Sequence, residues 1–122
     1  MSVQKFEDLI AWQKARVLAA DVYRAVGHGA VARDFGLRDQ MQRAAVSIMA
    51  NIAEGFERRS PADFARFLTI AKASCAELKS HCFLAMDVGY INADLFRKLH
   101  DQAEEVNRII GGLKASLNIP TR

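Results

Sequence analysis

Apolar positions recur along this chain at alternating steps of three and four residues, the period of packed helices, and no stretch alternates as a half-buried strand would. The first run, residues 6–26, carries Trp12, Ala15, Ala19, Val22 and Val26 on one seam. Gly27 and Gly29 end it, and a loop is expected as far as Gly36. The second run, residues 37–56, has Leu37, Met41, Ala44, Ile48, Ile52 and Phe56 as its core stripe. Ser60-Pro61-Ala62-Asp63 then reads as a helix start, with a serine cap, a proline in the first helical position and an acid near the positive helix end. The third helix should bury Phe64, Phe67, Leu68, Ala71, Cys75, Leu78, Cys82 and Ala85 and stop at Gly89. Asn92 can cap a fourth, whose stripe is Leu95, Leu99, Ala103, Val106, Ile110, Leu113 and Leu117. Gly111 and Gly112 weaken its last turns by roughly 1 kcal/mol each relative to Ala, and Pro120 is expected to end the ordered chain. Short turns at residues 57–60 and 89–92 make successive helices antiparallel. The pattern thus predicts an all-α protein, an up-down-up-down four-helix bundle formed by one domain over residues 1–122.

The second helix departs from ordinary amphipathicity. Ala44, Ala45, Val46, Ile48, Met49, Ala50, Ile52 and Ala53 are interrupted only by Ser47 and Asn51. A helix apolar all round is buried all round, and a bundle of this size cannot surround one of its own helices. The surplus surface predicts an oligomer or another partner, with the first or second helix in the contact. The polar residues that remain, Gln40, Arg43, Ser47, Asn51 and Glu54, share one face and are expected to form a buried or interfacial ladder. Antiparallel register about the 58–60 turn places Arg43 level with Ser74 and Glu77, so a partly buried Arg43–Glu77 ion pair is expected, with Ser74 as a further hydrogen-bond partner. Glu54, near the negative end of its helix, should pair with Arg58.

Composition narrows the class. With 122 residues, 51% hydrophobic and 25% charged, the chain is globular rather than disordered. No apolar run reaches the roughly 18 to 20 residues of a membrane span, and Glu7 and Asp8 spoil a signal-peptide pattern. A cytoplasmic protein is expected. The net charge of +3 is spread thinly, each quarter of the chain carrying at most one more base than acid. Such a balance permits association with RNA or DNA without demanding it. Arg58 and Arg59, an adjacent basic pair at the tip between the second and third helices, are the candidate phosphate contacts, helped by the following helix N-terminus. Aromatic residues fall on core stripes, which argues against a base-stacking platform.

Reaction chemistry finds no foothold. A di-iron bundle needs Glu-x-x-His on two helices, and the chain has none. His28, His81 and His100 lack matching second ligands, and there is no nucleophile elbow, phosphate loop or dinucleotide fingerprint. Ser74, Glu77 and His81 line a single stripe, which suits hydrogen bonding between helices better than convergence on a substrate. Cys75 and Cys82 would stand about 10 Å apart along a helix, too far for a disulfide, and are expected as buried thiols. No catalytic, cofactor-binding or metal-binding residue is expected, and no enzymatic activity.

Phe6, Asp8, Leu9, Trp12, Gln13, Lys14 and Ala15 resemble the opening motif of the bacterial "four helix bundle protein" family, whose members include proteins encoded by intervening sequences in large-subunit ribosomal RNA genes. Gly36-Leu37, Gln40, Arg43-Ala44, Ser47-Ile48 and Asn51-Ile52-Ala53-Glu54-Gly55 resemble its central signature. Phe67-Leu68, Ala71, Ser74, Glu77-Leu78 and Gly89-Tyr90-Ile91 resemble its third-helix part. The loop before Gly36 departs from the family, reading Val31-Ala32-Arg33-Asp34-Phe35 where a Pro and a Glu are usual. The resemblance implies antiparallel bundles assembled as homopentameric rings, without a cofactor. It also implies kinship with the accessory variability protein of diversity-generating retroelements, a basic pentamer, and hence an expectation of nucleic-acid binding. Two functions are therefore expected in order: a non-enzymatic homopentameric scaffold that associates with RNA or DNA by charge, or a protein-interaction adaptor for an unidentified protein with no nucleic-acid role.

Overall fold

The computed structural model describes residues 3–117. After a 3-10 turn at Phe6–Asp8 come α1 (Ile10–Val26), a second 3-10 turn at Ala30–Arg33, α2 (Phe35–Glu57), α3 (Pro61–Asp87) and α4 (Ala93–Ser116). The helices pack α1 on α2, α2 on α3, α3 on α4 and α4 back on α1, closing an antiparallel four-helix bundle. Leu18, Met41, Ile48, Ile52, Leu68, Leu78, Leu99 and Ile110 are among the side chains fully buried at its centre. Pro120 lies outside the described residues.

Helices α2, α3 and α4 each start where the chain supplies a side-chain cap. Asp34 accepts from the Leu37 N–H at 3.1 Å, Ser60 from the Asp63 N–H at 3.3 Å, and Asn92 from the Leu95 N–H at 2.8 Å. Asp34 is why α2 begins two residues before the expected Leu37. The first helix begins later than expected, at Ile10, because Leu9 takes an extended conformation and turns its side chain into the core. Phe6 then packs edge-on against Trp12, ring centroids 5.1 Å apart. Gly89 ends α3 with φ of 81°, a left-handed residue that lets Tyr90 N–H reach back to Ala85 O at 2.9 Å. Gly55 serves closeness instead: a Cβ there would stand 2.6 Å from the Phe67 Cβ.

Polar groups on the rim tie the helices together. Lys14 pairs with Glu105 at 3.2 Å, and Gln102 Nε2 donates to Asp21 Oδ2 at 2.9 Å, both between α1 and α4. Between α3 and α4, Lys79 pairs with Glu104 and Lys72 Nζ donates to Asn107 Oδ1 at 3.0 Å. Tyr90 OH donates to Asp34 Oδ2 at 2.9 Å, joining the α3–α4 turn to the α1–α2 loop. No helix among the described residues is long and apolar enough to cross a membrane.

The bundle does not wrap α2. Its stripe of Asp39, Arg43, Val46, Ala50, Glu54 and Glu57 is exposed, with Val46 at 40%. Met49 is half-buried and packs against the core, so Val46 and Ala50 carry the surplus apolar surface on this stripe.

Candidate functional site

The tip between α2 and α3 is an arginine cluster seated on phenyl rings. The two helices are joined so tightly that Arg59 takes φ of 63°, the left-handed region that a non-glycine residue enters at a cost of roughly 1–2 kcal/mol. Its guanidinium lies over Phe56 at 5.1 Å and donates to Gln4 O at 3.4 Å. Arg58 lies 5.0 Å over Phe67, and Arg66, from the second turn of α3, lies 4.7 Å over the same ring. Two guanidiniums thus bracket one phenyl group, while Phe64 supports Phe56 edge-on at 5.8 Å. Stacking holds planar cations in place and leaves their edge N–H groups free to donate.

Arg66 has Asp63 at 3.6 Å, but neither Arg58 nor Arg59 forms an ion pair among the described residues. The expected Glu54–Arg58 pair does not form, because Arg58 stacks on Phe67 and Glu54 remains exposed. By contrast, the adjacent bases Arg97 and Lys98 on α4 have carboxylate partners, Asp94 at 2.8 Å and Asp21 at 3.7 Å. The sequence reading found Arg58 and Arg59 and missed Arg66. Its position beside Phe67, one turn after the Ser60 cap, was the available signal.

The expected polar ladder divides in two. Ser47 Oγ and Ser74 Oγ meet at 2.8 Å across the α2–α3 seam, and Asn51 Nδ2 donates to Ser47 O at 2.8 Å and Ser47 Oγ at 3.0 Å. The Ser47 hydroxyl thus has two partners, the Asn51 amide and the hydroxyl of Ser74, which is buried. Gln40 is half-buried about two helix turns before Ser47. Arg43, Glu54 and Glu77 are outside the seam and exposed.

The expected Arg43–Glu77 ion pair is absent. Glu77 instead approaches His81 on its own helix at 3.7 Å, and Arg43 forms no ion pair among the described residues. The serine pair occupies the seam and sets its register, so Arg43 and Glu77 stand at its wet edge. A pair there would gain about 1 kcal/mol or less.

Cys75 and Cys82 are buried free thiols, pushed by desolvation to about 11 and about 12 respectively. They stay protonated near neutral pH and are poor nucleophiles. Among the described residues no three His, Cys, Asp or Glu side chains gather to hold a metal ion.

One expectation about aromatics is overturned. Phe83, placed off the core stripe by the geometry of α3, is 48% exposed and packs with Phe96 at 4.7 Å and His100 at 5.7 Å. Tyr23 and Phe35 are also exposed, so the aromatics are not all core residues. Helix α3 carries more apolar residues than one face can bury, and Phe83, Leu84 and Ile70 are left outside.

The architecture is that of an all-helical, antiparallel four-helix bundle with a hydroxyl–amide seam and an arginine tip stacked on phenyl rings. Residues 7–112 match the 23S rRNA-intervening sequence protein family, and the chain belongs to that family. Its fold is similar to the crystal structure of a protein of unknown function from the S23 ribosomal protein family of Bacteroides thetaiotaomicron, with a TM-score of 0.79 at 23% identity. That likeness covers 88% of this chain and 100% of the other. No curated protein matches the sequence.

Proposed function

We propose that the chain is a non-enzymatic homo-oligomeric scaffold, pentameric as the family resemblance implies, that associates with RNA or DNA through phosphate contacts rather than base readout. The observation that carries this reading is the tip. Arg58 and Arg59 present guanidiniums held on Phe67 and Phe56 without an ion-pair partner among the described residues, and Arg66 adds a third. Repeated around a ring, a modest charge per copy multiplies into a field that a phosphate backbone can follow. The exposed Val46 and Ala50 on α2 support self-association.

Binding of mixed-sequence RNA and DNA over a salt series tests the proposal. Affinity should fall linearly on logarithmic axes, with a slope near −0.9 per phosphate neutralised on duplex DNA and about −0.7 on single strands. Replacing Arg58 and Arg59 together by Glu should weaken binding on the order of tenfold or more and flatten the slope, with helicity retained. Unchanged affinity would remove the tip from the site.

A second reading, a protein adaptor without a nucleic-acid role, is favoured by the exposed Phe83 and Leu84 beside Phe96. Absence of salt-dependent binding to either nucleic acid would decide for it.

A further inference from the structure

Two outer stripes of the bundle are apolar at the centre and carry charges of opposite sign. On α1, Ile10, Gln13, Val17, Ala20 and Arg24 recur at steps of three and four and so share one face. Ile10, the first residue of α1, and Val17, in mid-helix, are 56% and 55% exposed, very high for branched aliphatic residues. The stripe borders a groove of about 330 Å³ between α1 and α4, and another of about 470 Å³ runs along α1 itself past Arg16, Val17, Ala20 and Arg24. Arg16 stacks on Trp12 at 5.6 Å and forms no ion pair among the described residues.

The stripe on α2 is its counterpart. Val46 and Ala50 are exposed, and the next exposed positions toward the helix end are Glu54 and Glu57, neither of which forms an ion pair among the described residues. Small side chains at the centre of this stripe let another helix approach closely. Arg43 sits at its opposite end, about three turns from Glu54. One stripe therefore offers an unpaired cation beside aliphatic surface, and the other offers unpaired carboxylates beside aliphatic surface. Docking the α2 stripe antiparallel on itself would set Arg43 against Glu54 but leave the α1 stripe bare, whereas docking one stripe on the other covers both and brings the Arg16 cation to the Glu54 carboxylate.

We propose that the α1 stripe bearing Val17 and Arg16 receives the α2 stripe bearing Val46, Ala50 and Glu54 from a second copy of this chain. The contact rests on the self-association reading above and specifies it. It uses two different surfaces of one molecule, so it is head-to-tail, and an open assembly of any length retains one free face of each kind until the ring closes. A ring with an odd number of subunits requires contacts of this type, because a two-fold contact consumes copies in pairs.

Val17→Glu and Val46→Glu, each at an exposed position, test the pairing by sedimentation. Wild type should assemble at micromolar concentration, and each variant alone should be a monomer with unchanged helicity. An equimolar mixture of the two should form a 1:1 dimer and nothing larger, because the intact α2 face of the first variant still meets the intact α1 face of the second. Arg16→Glu and Glu54→Lys provide a second pair should either valine variant lose helicity: each alone should be a monomer, and their mixture should regain the wild-type size, because the exchanged charges complement each other as well. If both variants assemble as wild type does, this contact is wrong and self-association stands. If both are monomers whose mixture stays monomeric, the head-to-tail pairing is wrong. A monomeric wild type overturns the self-association reading along with the contact.

Discussion

Where α4 meets its neighbours, long polar side chains reach across and find one another: Lys14 with Glu105, Lys98 and Gln102 with Asp21, Lys79 with Glu104, Lys72 with Asn107. Along the outside of α2, Arg43, Glu54 and Glu57 form no such pairs among the described residues, and the polar contact with α3 is made by short groups at close range, Ser47 and Ser74, with Asn51 behind Ser47. The first arrangement is finished within one chain. Its bonds lie on the surface, where each is worth little, and they cover the flank with polar groups already satisfied. The second is tight in the seam and open on the outside. Small residues draw α2 and α3 together and leave the charged ends of longer side chains facing water. Surface charges with no partner, next to exposed aliphatics, mark a face that a second molecule can complete.

The largest break in this contrast should come from Gly55, where the α2–α3 approach is closest. A Cβ only 2.6 Å from the Phe67 Cβ cannot be absorbed by a flexible tip. Gly55→Ala should therefore destabilise by about 1–3 kcal/mol in denaturant unfolding, despite alanine's better helix propensity. A neutral or stabilising result would show that the helices are not in contact there.

A smaller loss is expected in the seam. Ser74→Ala leaves the Ser47 hydroxyl without its partner across the seam and should cost about 1–3 kcal/mol, whereas Lys14→Ala on the opposite flank should cost about 1 kcal/mol or less. Adding Ser47→Ala to Ser74→Ala should cost less than the sum of the single changes, because the Asn51 amide keeps the Ser47 carbonyl and no buried hydroxyl is stranded. Strict additivity in that cycle would break the serine pair.

The smallest effect is a sharpening of the acid limb. The Leu37 N–H, and then the Tyr90 hydroxyl, hold Asp34 below its ordinary pKa, and Lys79 does the same for Glu104. A carboxyl whose pKa is lower folded than unfolded adds stability above its unfolded value, and that stability is lost as pH falls through the folded value. Thermal midpoints should thus fall below about pH 4. Asp34→Asn should flatten that decline more than Tyr90→Phe. An acid limb that is identical in all three proteins would show that Asp34 gains nothing from its two donors.

The bundle was legible because its signals are local and redundant. The 3.6-residue period, Ser60-Pro61, Asn92 and Gly89 each constrain a helix through bonds made within a turn or two. The core stripe of α3 was read correctly from Phe64 to Ala85 for the same reason. The site was less legible because its geometry depends on register between helices. Ser47 and Ser74 were placed at the right seam, yet Arg43 and Glu77 were paired across it when the structure leaves both in water. Helical period identifies a face; it does not say how far a long side chain will extend along that face. Arg58 illustrates the same limit, since a carboxylate one turn away competed with a phenyl ring on the next helix and the ring won.

Arg59 sets backbone comfort and charge against each other at a single residue. Its φ of 63° is easy for glycine and awkward for arginine, yet only arginine lays a cation over Phe56. Selection for stability alone drives this position toward glycine, and selection for the cation holds it in place. A basic residue kept in this left-handed turn is thus the mark of a tip held for its charge rather than for its stability.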